Sequence, residues 1–353
     1  MTLKYMLNIC AVAALLSLGI AGPAAAQDKL VVSGSGGSLA VVLDDIYNKP
    51  FTAETGIVIE SVPSSDRVSL LRAMFAAGKP TWDVSELASN EYARASVEGW
   101  LEKIDWARLD PNNMVDKADR RDYAVPDAYF SVVLVTADAK APNGKTMTSW
   151  ADFWDVEAFP GPRGMQNSAL HNMEIALLAD GVAREDVYAT LATKEGVDRA
   201  FAKLDKIKPH INVWWTTGAQ APQALADGEV FYTSAFNGRI STLRRSGTPV
   251  TTSFNGALLK MGHFGIIKGS EHVDEAYKFL SYRIASPERA AQFANQSFYP
   301  PAVRGMIDFV DEDKKSEMPN FPANLENQLR FDEAFWLKYQ DELSERWQAW
   351  MLE

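Results

Sequence analysis

The sequence predicts an α/β protein made of two lobes on either side of a cleft, and three observations lead there. Strand and helix patterns alternate from Leu30 to Glu98, at a spacing that gives a parallel sheet. A second alternation runs from Ser149 to Thr252. Extended segments at Tyr123–Thr136 and His263–Ile267 flank that second set and suit strands that cross between two bodies. The expected division is a secretory signal over 1–26, a first lobe from 27–134 together with 253–353, and a second lobe over 135–252. Such lobes can hinge shut over a ligand.

The elements follow in chain order. Lys4 precedes an apolar run from Leu7 to Ile20, and Ala24-Ala25-Ala26 offers small residues for cleavage before Gln27. The run is short for a membrane span, so export with cleavage near Ala26 and residence in the periplasm are expected. Cys10, the lone cysteine, lies inside that run, so the exported chain needs no disulfide and has no thiol to ligate a metal. Leu30–Val32 reads as the first strand and Leu39–Tyr47 as a helix interrupted at Lys49-Pro50, with Gly56 as a helix stop. Ile57–Ile59 and Trp82–Val84 read as strands around a helix at Val68–Ala77. Ser89 reads as the cap of a helix through Glu98. Tyr123–Thr136 reads as two short extended segments broken around Pro126-Asp127.

In the second set, Ser149 caps a short helix, and helical spacing recurs at Met173–Ala179, Val187–Ala192 and Val197–Ile207. Asn212–Trp215 and Val230–Thr233 read as strands, with a helix to Ala226 between them. The return strand His263–Ile267 leads to helices at Glu275–Ile284 and Pro287–Ala294. The tail, Asp332–Trp350, is amphipathic, with Ala334, Phe335, Leu337, Leu343, Trp347 and Trp350 as its apolar set.

Composition narrows the function. The chain has 46 acidic and 35 basic residues among 353, and Lys4 is the only charged residue before Gln27. An acidic protein of this kind lacks the clustered positive charge that nucleic acid requires; its field can favour cationic solutes, and solubility alone explains the charge equally well. Ten tryptophans are too many to scatter over a surface, so core and cleft both claim some. No dinucleotide fingerprint, His-Glu-x-x-His or Gly-x-Ser-x-Gly is present, so neither enzyme nor cofactor is expected. His171, His210, His263 and His272 have no metal-ligand spacing.

Candidate ligand residues cluster at strand ends. Gly36, Gly37 and Ser38 precede a helix whose free amides can hold an acid group, and they also suit a plain turn. Ser89 and Asn90 occupy a second strand-to-helix junction. Of the adjacent Trp214 and Trp215, alternation sends one to the core and one to the cleft. Trp215 is the expected wall for an alkyl or cationic group, ahead of Thr217. Phe236 offers a similar wall, and Asn237 and Arg239 follow it as groups able to orient polar ends. Asp332 suits an ammonium or a helix cap, and His263 lies near the crossing.

Five stretches stand in order along the chain: Pro50-Phe51-Thr52-Ala53-Glu54-Thr55-Gly56-Ile57, Glu98-Gly99-Trp100-Leu101-Glu102-Lys103-Ile104-Asp105, Tyr123-Ala124-Val125-Pro126, Phe231–Phe264 with Ala235-Phe236-Asn237-Gly238-Arg239 and Gly247-Thr248-Pro249, and Tyr299-Pro300-Pro301. They resemble a first-lobe signature, two later segments, the cleft turn and a late turn of the spermidine/putrescine-type solute-binding proteins of ATP-driven importers. The resemblance implies a type II periplasmic binding fold, a small-molecule solute, an inner-membrane permease as partner and a monomer. It also implies carboxylates around the ligand, where this chain has Ser168, His171 and Lys260-Met261-Gly262 instead. The expected solute is a small organic amine, polyamine-type or a related amino compound; because an unpartnered buried ammonium is costly, one amine, or an amine plus an acid group, fits better than a diamine such as putrescine or a polyamine such as spermidine. Zwitterionic or anionic solutes (γ-aminobutyrate, betaines, aminophosphonates, thiamine) remain open, and ferric iron less so, since Tyr232 stands alone.

Overall fold

The computed structural model describes residues 28–64 and 66–353, so the expected signal segment lies outside the described residues. A single sheet runs through both lobes in the order β2-β1-β3-β8-β4-β7-β5-β6, with β9 added beside β8. The strands are β1 (Lys29–Gly34), β2 (Val58–Pro63), β3 (Val84–Leu87), β4 (Val125–Ala137), β5 (Arg163–Gln166), β6 (Ile211–Trp215), β7 (Tyr232–Phe236), β8 (Val250–Ile266) and β9 (Leu329–Arg330). The first three pair in parallel on one side, β5 pairs in parallel with β6 and β7 on the other, and the long antiparallel pair β4/β8 joins the two halves.

The cores follow the same division. Leu30, Phe51, Val84, Phe264, Phe279 and Leu280 are buried together on the first side. Phe153, Met165, Met173, Phe201, Leu204 and Tyr232 are buried together on the second. The tail helix, Glu333–Leu352, packs on both sides: its Phe335, Trp336, Leu343, Trp347 and Trp350 enter the second core, and its Asp341 pairs with Arg94 of the helix Ser89–Val97. Trp336 is fully buried although it lies outside the apolar set read from the sequence, because its indole donates to Glu174 at 2.5 Å.

Other differences have local causes. Lys49-Pro50 does not break the chain's first helical stretch. A π-turn over Asp44–Asn48 carries Ser38–Leu43 into Lys49–Thr55, and the Lys49 amide still bonds back to the Asp44 carbonyl just before Pro50. Gly56 does end it, at φ 77. Tyr123–Thr136 is not two separate pieces but the single strand β4, and Pro126-Asp127 survives only as a register shift before Tyr129. Ser89 is the first helical residue rather than the cap. Its hydroxyl donates to the Met261 carbonyl, and Glu91 reaches back to the Ala88 amide instead.

Candidate functional site

The β4/β8 crossing sets the site. Phe130 and Lys260 face each other in register, so their side chains leave the sheet on one side. β9 runs beside Leu258 and Leu259, and the Phe331 amide donates to the Leu259 carbonyl at 3.0 Å. That pairing lays the Phe331 ring 4.1 Å from the Lys260 ammonium, with the Phe130 ring at 5.7 Å. Lys260 is only 3% exposed, whereas Phe130, Phe331, Phe236, Tyr299 and Asn90 each keep some solvent-facing surface.

Two acceptors complete the surroundings. Asn90, at the start of the helix Ser89–Val97, takes one Lys260 proton on Oδ1 at 3.3 Å. His171 lies 3.0 Å away through Nε2, and its Nδ1 is 2.7 Å from Gln166 Oε1. The Gln166 carbonyl oxygen requires a donor, which places the imidazole proton on Nδ1 and leaves Nε2 as the acceptor for Lys260. The ring is aimed by an unusual backbone. His171 has φ 75, a left-handed value rare for a residue with a side chain, inside the kinked start of the helix Ala169–Ala179. Ser168 caps that start by accepting from the Leu170 amide, and Asn172 ties the turn by donating to the Gln166 and Ser168 carbonyls.

Electrostatics reflect the burial. Desolvation pulls the Lys260 pKa down to about 8, against the fields of Glu174, Glu91 and Glu333 that support its charge. Burial, then the Lys260 charge, holds His171 well below the usual histidine range, so the imidazole is neutral. Burial pushes Glu174 up to about 7, opposed by bonds from Trp336 and Tyr188. Phe236 links the cluster outward, 5.9 Å from Phe130, 6.4 Å from His171 and 5.7 Å from Trp215.

The residues singled out in the sequence separate into three groups. Asn90, Phe236 and Lys260 meet in this cluster. Ser38, Arg239 and Tyr299 line an adjacent groove of about 300 Å³ between the helices Ser38–Leu43, Gln220–Ala226 and Asn237–Arg245. Gly36 and Gly37 begin the turn at its edge. There, the Ser35 amide and hydroxyl already donate to Glu86, so an acid group at that turn would meet a carboxylate.

The remainder hold the fold. Asn237 accepts from the Ser131 amide and donates to the Phe298 carbonyl, tying β4 to the chain after the helix Pro287–Ser297. Asp332 caps the tail helix by accepting from the Phe335 amide. Thr217 is exposed and gives its amide to Gln220. Ser89 binds Met261 through both backbone groups. His263 is stacked on Tyr92 at 4.6 Å, fully buried and held near pKa 3 by desolvation. Trp215 is the inward-facing tryptophan, 1% exposed against Ala221, Leu225 and Ala235. The expectation of a cleft wall there is corrected: Trp215 backs Phe236, and Trp214 packs on Trp347 and Trp350.

Gly218 and Gly238 shape the boundary. A Cβ on Gly218 would lie 2.9 Å from both Arg239 Nε and Phe236, and one on Gly238 would strike the Ser297 carbonyl at 2.3 Å and the Tyr299 ring at 2.6 Å. The sequence reading missed Phe130, Gln166, Phe331 and Glu174. No group of three or more His, Cys, Asp or Glu among the described residues could hold a metal ion, and no described helix is long and apolar enough to cross a membrane.

Residues 47–323 match the family of bacterial extracellular solute-binding proteins. The chain belongs to that family. It is 37% identical over 341 residues to the gamma-aminobutyric acid-binding protein of Pseudomonas aeruginosa, covering 95% of each chain. It is 25% identical over 260 residues to the spermidine/putrescine-binding periplasmic protein of Escherichia coli, covering 71% of this chain and 72% of that one. A solved ABC transporter substrate-binding protein from Bradyrhizobium japonicum superposes with TM-score 0.83 at 31% identity, covering 92% of this chain and 99% of the other. This solute-binding protein is therefore a two-lobed receptor of the ABC-transporter type, not an enzyme. It binds a small molecule outside the cytoplasm for delivery to a permease.

Proposed function

We propose that this solute-binding protein captures a small amino compound carrying one ammonium and one acid group, of the γ-aminobutyrate class. The observation that supports it is Lys260. A fixed ammonium inside an aromatic cage has two N–H bonds committed to His171 and Asn90, and the third suits a ligand carboxylate. The solute's own ammonium then lies outward, toward the Phe236 and Tyr299 rings and the Glu86 carboxylate beside Ser35. The Pseudomonas relative's named ligand is of this class. A polyamine is disfavoured because its inner ammonium would meet Lys260 without a carboxylate between them.

We assign residues 27–134 with 253–331 to one lobe and 135–252 with the tail helix to the other, closing over the solute from both sides. The protein acts in the periplasm as a monomer after loss of residues 1–26. Calorimetric titration with γ-aminobutyrate, betaine, taurine, putrescine and spermidine tests the reading. Binding of the acid-bearing amine with no binding of putrescine supports it, and tight putrescine binding overturns it.

A further inference from the structure

Lys260 is surrounded as a bound ligand would be. The groups around Nζ are two aromatic faces, a histidine nitrogen fixed as an acceptor by Gln166, and the Asn90 amide oxygen. Glu174, Glu91 and Glu333 add negative potential from three different elements: the helix Ala169–Ala179, the helix Ser89–Val97 and the tail helix. Aromatic faces, acceptors and surrounding negative charge are what a receptor for a small alkylammonium ion requires. Here the cation is supplied by the chain itself and delivered from β8.

We propose that Lys260 is a tethered surrogate for a ligand ammonium, and that its side chain is what excludes diamines from this receptor. The inference rests on the reading of the Phe130–Lys260–Phe331 cluster as the solute site. It goes further by naming one residue as the discriminator against solutes with two ammonium ends. Positive charge already fills the inner position, so a second ammonium is repelled while an acid group is attracted. The receptor for that inner ammonium is nonetheless intact beneath the lysine.

The test empties the position. Lys260→Ala removes Cγ, Cδ, Cε and Nζ, the heavy atoms of n-propylamine. Thermal unfolding of this variant is followed with n-propylammonium, 1-propanol, propionate and putrescine, without any other solute. The expected result is a rise in Tm that grows with the logarithm of n-propylammonium or putrescine concentration, absent with 1-propanol and propionate. Wild type and Lys260→Met, whose chain fills the space without charge, should not respond to either amine.

No amine response in the Ala variant, or an equal response to 1-propanol, overturns the proposal, as does an amine response in the Met variant. If the Ala variant does not fold alone, it is refolded with n-propylammonium or with 1-propanol present. Recovery of the folded state with the amine alone supports the proposal, and equal recovery with both, or none with either, overturns it. Because the response is read without γ-aminobutyrate, failure here and failure of the proposed ligand class are separate results.

Discussion

Phe130 and Lys260 stand directly opposite each other on the antiparallel strands β4 and β8, and that pairing alone brings an ammonium within 5.7 Å of an aromatic face. Phe331 arrives from β9 to cover the other side. Strand register therefore places the ammonium and the Phe130 ring, while His171 and Asn90 reach it from the starts of two helices.

Lys260→Met should cost the solute its charged partner. Losing one side of a buried, hydrogen-bonded charge pair is worth about 2–4 kcal/mol, on the order of a 30- to 1,000-fold rise in Kd. Stability should change little, since a buried ammonium is itself expensive to desolvate. Calorimetry and a thermal melt on the same preparation separate the two effects.

Solute affinity should fall as pH rises through about 8, approaching tenfold per unit as the Lys260 ammonium loses its proton. Stability moves the other way over part of that range. The folded pKa lies below the ordinary lysine value of 10.5, so between about 8 and 10.5 the unfolded chain binds more protons and this residue's contribution to stability rises with pH. Titrations of Kd and of the denaturant midpoint across pH 7–10 should show opposite slopes attributable to Lys260, both missing in Lys260→Met.

Trp336→Phe should destabilise by about 1–3 kcal/mol, because Glu174 loses an indole donor while remaining buried. Glu174 already has a folded pKa raised to about 7, so its contribution to stability is lost as pH rises from 4.5 towards 7. Removing the donor that favours its charged form should raise that pKa further and steepen the loss. Urea denaturation at pH 5 and pH 8 should show the larger deficit at pH 8.

Gly238→Ala should be felt where the helix Asn237–Arg245 meets the chain at Ser297. The added methyl meets the Ser297 carbonyl and the Tyr299 ring, and neither backbone can yield without opening the approach of the helix Asn237–Arg245 to the chain at Ser297. Overpacking of this kind costs about 1–3 kcal/mol. A drop in Tm accompanied by weaker solute binding is the expected pair of observations.

Much of the architecture was legible because local rules carried it. Gly56 stopped a helix, Ser149 and Asp332 capped helices, and strand alternation separated Trp214 from Trp215. The assignment of which tryptophan faces the cleft failed because both faces of β6 are covered, one by Ala221 and Leu225 and the other by the tail helix. The site was half legible. Asn90 and Phe236 stood out at strand-to-helix junctions, and Lys260 as a departure from the residues the family resemblance implies. Phe130, Gln166 and Phe331 did not, because their roles come from β-pairing over long separations and from a left-handed turn at His171, neither of which leaves a periodic trace.

The tail helix has a consequence for biogenesis. The second core contains Phe335, Trp336, Leu343, Trp347 and Trp350, and the indoles of Trp336, Trp347 and Trp350 donate to Glu174, Asn167 and Asp205. That core lacks a wall until Glu333–Leu352 has been made and packed. The strands and helices of the second side therefore cannot finish their packing as they emerge, and wait on a segment that begins only at Glu333, far downstream of the end of β7 at Phe236.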